Sequence, residues 1–183
     1  MLTNEQVRAF LTEMLTHATA ARNRLPVDQE LPISFGLGDY PTVMADDPAE
    51  QHWQLTPPLI VPPGVEKGVI GAMVEVVTQK VPSDFIFMVC EATLAHLTAE
   101  QARQVDQQGL PTGGVRALEG ALDVLMITLR LNDGRVYSAW RRVAGGRVAA
   151  DAEITWRGFD DGAQVEHDRI MGRARLRPVG RAN

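Results

Sequence analysis

Near the middle of the chain, Cys90, Glu91 and His96 are of types that suit nucleophilic chemistry. A thiolate needs an adjacent base, and a carboxylate can orient the imidazole that serves as one. Yet Cys90 ends the apolar run Phe85-Ile86-Phe87-Met88-Val89-Cys90, where a thiol more often packs than reacts. A second set, Asp46, Asp47 and His52, offers oxygen and imidazole ligands for a divalent cation. A metal site needs three or four converging donors, and these acids read equally well as turn residues before Pro48. Arg141, Arg142 and Arg157 would suit an anion, with Trp140 and Trp156 beside them for stacking. An isoelectric point of about 5.4 argues against a nucleic-acid partner.

Nucleotide and hydrolase motifs are missing. Gly64, Gly68 and Gly71 have glycine spacing without the Gly-Lys-Ser/Thr ending of a phosphate loop, and Gly36 and Gly38 lack the third glycine of a dinucleotide fingerprint. Neither Gly-x-Ser-x-Gly nor His-Glu-x-x-His occurs. No cofactor is expected, and the reading leans away from an enzyme.

The bulk figures describe an ordinary globular chain: 183 residues, 45% apolar, 22% charged, net charge −5. They exclude collagen-like, disordered and disulfide-scaffold classes. The single cysteine and the absence of a basic-then-apolar start point to a cytoplasmic setting, with no membrane span. Sixteen of the 18 cationic residues are arginine, which fits GC-rich coding of bacterial type. Charge is uneven: residues 1–140 carry 9 basic and 17 acidic groups, whereas 141–183 carry 9 and 6. Such asymmetry suits contact between opposite ends of two protomers.

The elements that must position these residues read as one α+β domain over 1–183. It has a proline-rich loop region at 26–64 and a tail at 178–183 that is free to move. Val7, Phe10, Leu11, Met14, Leu15 and Ala18 form one helical stripe, and Thr3 with Gln6 makes a capping box, giving a helix at 3–23. A second helix spans 65–80, with Val69, Ile70, Met73, Val76 and Val77 as its core stripe. Leu31 to Leu37 alternate like an edge strand, Phe85–Cys90 reads as a central strand, and Thr98 with Gln101 starts a short helix to 108.

A C-terminal antiparallel meander covers about 121–156. A two-residue turn at Asp133-Gly134 pairs Leu131 with Val136, Leu129 with Ser138 and Ile127 with Trp140. One at Gly145-Gly146 pairs Val143 with Val148, Ala139 with Ala152 and Tyr137 with Ile154. Both sheet faces then carry apolar groups, so helices must cover both, or a partner must cover one. The expectation is a domain that acts by association as a homo-oligomer, with Tyr137, Trp140 and Trp156 as interface candidates. The competing expectations are a hydrolase-like enzyme, with a pocket for an unknown small-molecule ligand between the sheet and the 36–62 loop, and an arginine-lined anion surface.

Overall fold

A computed structural model describes residues 2–41, 47, 51–149, 151–159 and 168–179. The chain runs α1 (Asn4–Arg24), β1 (Ser34–Asp39), β2 (Gln54–Leu55), β3 (Leu59–Ile60), α2 (Lys67–Lys80), β4 (Phe85–Leu94), α3 (Ala99–Gln108), β5 (Leu122–Leu131), β6 (Val136–Arg142), β7 (Thr155–Arg157) and α4 (Asp168–Met171). All strands join one antiparallel sheet in the order β2-β1-β4-β5-β6-β7, with β3 also on β1. This is the α+β architecture that the hydrophobic pattern implies, with β4 inside the sheet.

Helix α1 begins as the capping box requires. Thr3 accepts from the Gln6 backbone at 3.2 Å, and the Gln6 side chain returns to Thr3 N at 2.9 Å. Its stripe of Val7, Phe10, Leu11, Leu15 and Ala18 packs on one sheet face, made by Phe85, Phe87, Val89, Leu125, Ile127, Leu129, Leu131, Tyr137 and Ala139. The opposite face, with Phe35, Leu37, Ile86, Met88, Cys90, Val124 and Met126, is covered by Ile70 and Val74 of α2 and by Met171 and Ala174 near the C-terminus. The chain's own elements therefore pack on both faces.

Four expectations change. β1 is not at the sheet edge, because the two-residue strands β2 and β3 flank it; Pro32 lies outside it. The Asp133 hairpin has a three-residue loop: Gly134 N donates to Leu131 O, Leu131 N to Arg135 O, and Gly134 sits at φ +91°. That extra residue slips the register by one, so Leu129 faces Tyr137, Ile127 faces Ala139, and Trp140 moves to the α2 face opposite Met126. The Gly145-Gly146 turn does form, with Ala144 and Arg147 exchanging both backbone bonds. Beyond it the strand leaves the ladder, because the Asn23 side chain takes both Val148 backbone groups at 2.7 and 3.0 Å. Only 155–157 returns to β6, pairing Trp156 with Ala139. The fourth change is the inward face of α2, taken up below.

The Gly36-x-Gly38 spacing has a packing cause. A Cβ on Gly36 would lie 2.2 Å from Phe87 Cζ, and one on Gly38 would lie 2.3 Å from Phe85 Cζ. Both rings lie over β1 and also pack edge-on against Phe10. We expect Gly36→Ala to cost roughly 1–3 kcal/mol by overpacking, read as a lower urea midpoint. Adding Phe87→Leu should recover part of that loss.

Candidate functional site

The nucleophile set is not assembled. Cys90 and Glu91 are consecutive strand residues and point to opposite faces. Cys90 is 6% exposed under α2, Glu91 lies beneath α1, and His96 is exposed beyond the end of β4. Of the metal set, Asp46 lies outside the described residues, while Asp47 and His52 are exposed. No group of three or more potential ligands occurs among the described residues. The arginines are also apart: Arg141 is buried under α1, whereas Arg142 and Arg157 are exposed on the other face, opposite Val124 and Ser138.

The aromatic candidates are largely internal. Tyr137 is 2% exposed, and its hydroxyl binds Asn4 and Arg135. Trp140 packs into the α2-side core. Trp156 packs on the α1 side, edge-on to Phe159 and under the Arg8 guanidinium. A cavity does lie beside the 54–60 segment, between β1 and α2, but it measures only about 40 Å³. At roughly 10–15 Å³ per water it holds a few waters and no substrate. Its two hydroxyls, on Thr56 and Thr78, are already bonded to backbone groups.

Two polar clusters went unrecognised in the sequence. Arg22, 2% exposed, lies 2.6 Å from Glu91 Oε1, an oxygen that also accepts the Leu31 N–H at 2.6 Å. The Arg22 Nε–H is angled off that oxygen, so the contact is ionic, while its other nitrogens bond Pro26 O and Val27 O. Arg141, across Leu125 from Glu91, reaches Thr19 with one nitrogen and leaves Nε without a hydrogen-bond partner among the described residues. This cluster ties the end of α1 and the loop after it to β4. Its sequence signal was Arg22 itself, a charge four residues past Ala18 on an apolar stripe.

At the other end of the sheet, Asp84 accepts from Tyr40 N at 2.8 Å and from Arg177 at 2.9 Å, and Arg177 also meets Asp39. These bonds fasten the C-terminal segment. Burial, reinforced by the charge of Asp133, pushes the Tyr40 phenol up to about 12. The folded chain then holds a proton that the unfolded chain releases from its ordinary value of 10.0. Stability present below pH 10 should therefore fall as pH rises toward 12. Urea unfolding across that range, compared with Tyr40→Phe, measures the difference.

The feature without an internal use is the outward face of α2. Ile70, Val74 and Thr78 form its buried side. Contrary to the expected core stripe, Val69 and Val76 are 51% and 49% exposed. Ala72 lies outward between them, Met73 is half-buried, and a Cβ on Gly68 would meet no described atom within 4 Å beyond its chain neighbours and its own helix backbone. Glu66 and Lys80, both exposed, bound this stripe at its two ends. The one acid inside the helix, Glu75, is on the flank and paired with Arg175 at 3.2 Å.

No helix among the described residues is long and apolar enough to cross a membrane. Comparison with protein-family models, with curated proteins and with solved structures gives no match.

Proposed function

We propose that this chain works by protein association, using the outward face of α2, and that its partner is a second copy of itself. The observation that carries this reading is a helix with two apolar sides, of which one is spent on the core. Val69, Ala72 and Val76 then form an uncharged stripe in water, the kind of surface that marks an interaction site. A cytoplasmic setting, suggested by the lone cysteine, belongs to the same reading.

A single helix pair buries less than the ~1,200 Å² typical of stable complexes, so association should be weak and concentration-dependent. Sedimentation velocity from low micromolar to millimolar chain tests it. The wild type should shift from monomer toward dimer. Val76→Glu, which places a charge in the stripe, should remain monomeric while unfolding at nearly the same urea concentration, since this side chain is half exposed. A wild type that stays monomeric throughout would refute the reading.

A further inference from the structure

We infer that residues 95–121, which join β4 to β5, form a flap latched by the Arg116 side chain and able to open while the sheet stays folded. From Glu91 to Asp123 no residue is buried. Leu97, Val105, Leu110, Val115 and Leu118 join neither the core under α1 nor the core under α2. α3 is stabilised from within by its own capping box. Thr98 accepts from the Gln101 backbone at 3.2 Å, and the Gln101 side chain returns to Thr98 N at 2.9 Å. The segment therefore adds no core packing that would tie its opening to global unfolding.

Arg116 fastens it. Among the described residues, the hydrogen bonds that leave 95–121 for the rest of the chain come from this one side chain. Its Nε donates to Thr93 Oγ1 at 3.1 Å and its Nη2 to Glu30 at 3.0 Å. Asp123 adds an ionic contact at 3.4 Å. All three charged side chains stand largely in water, where such pairs contribute little and salt screens them. Arg116 is carried by a single 3-10 turn, Gly114–Ala117, that lies against β4. Gly109 and Gly120, at φ +78° and +72°, bend the chain on either side of that turn. A Cβ at either would meet no described atom within 4 Å beyond its chain neighbours, so packing does not lock these corners.

The partners of Arg116 show what the latch covers. Thr93 shares the α1 side of β4 with Glu91, two residues back, and Glu30 precedes Leu31, whose N–H binds Glu91. Arg116 thus bridges the two chain segments that flank the Arg22–Glu91 pair, of which Glu91 is the more exposed member. Opening removes the bridge, takes the cation from Glu30 and Asp123, and admits water to Glu91.

Paramagnetic relaxation tests the latch, with a nitroxide on Ala117→Cys in the full chain and the buried Cys90 of the unsubstituted chain as the labelling control. At low salt the label should broaden the amide signals of Glu30, Leu31 and Thr93. Adding Arg116→Gln, or raising salt to about 1 M, should reduce that broadening several-fold, while the amide shifts of α1 and β6 and the urea midpoint barely move. Arg116→Lys, which keeps the charge without the forked contact, should fall between. Broadening that survives Arg116→Gln would overturn the latch and place the hold in packing of the turn. Absence of broadening at low salt would overturn the closed state. A urea midpoint lowered by Arg116→Gln as far as by Phe10→Ala would make the segment part of the cooperative fold, with no separate opening.

Discussion

Glu91→Ala is expected to lose about 3–5 kcal/mol of folding stability, measured by urea unfolding, because it strands a buried cation. Arg22 is 2% exposed and always charged, and Glu91 is the carboxylate beside it at 2.6 Å. Two carbonyls, of Pro26 and Val27, accept its other nitrogens at 3.3 and 3.4 Å and cannot replace a negative charge. The same change leaves the Leu31 N–H without its acceptor. Removing both charges by Arg22→Met with Glu91→Leu should cost less than Glu91→Ala alone. What is expensive is the unpaired ion, and the net worth of the pair is small. Equal or larger loss in the double variant would show that the pair itself stabilises the fold.

Phe10→Ala should cost a similar ~3–5 kcal/mol for a different reason. Phe10 is 1% exposed and meets Trp53, Phe85 and Phe87 edge-on, with ring centroids 4.8, 5.3 and 5.5 Å away. The rings of Phe85 and Phe87 are also fixed from below by Gly36 and Gly38. A deletion at Phe10 therefore opens a space that its neighbours cannot close without leaving the glycine strand. The urea midpoint should drop, and Trp53 fluorescence should change in the folded state as its ring loses its neighbour. A loss below 1 kcal/mol would mean that this core collapses readily around the gap.

How much of this was legible depends on whether the deciding signal is local. α1 was legible almost to the residue, because its stripe and its capping box act within one turn of each other. α2 was legible as a helix but not in its orientation. Periodicity reports that an apolar stripe exists, and α2 carries two, at Ile70/Val74 and at Val69/Val76. Only the sheet decides which turns inward.

Asp133-Gly134 announced a hairpin but allowed both two- and three-residue loops, and the one-residue difference exchanged the faces of Tyr137 and Trp140. The third meander strand shrank to Thr155–Arg157 because Asn23, 125 residues away from Val148, competes for its backbone. Cys90 with Glu91 failed as a site for a reason already present in the pattern: in a strand, adjacent residues face opposite ways. Arg22 was the reverse case: a charge on a core stripe points to a buried partner without naming it, and that signal went unread.

The most direct test of association through α2 is methyl NMR of valine-labelled wild type on dilution from millimolar to low micromolar chain. Val69 and Val76 signals should shift together with concentration, while Val27, exposed at 57% beside α1, stays fixed. Invariant Val69 and Val76 signals, or shifts confined to other valines, would contradict it.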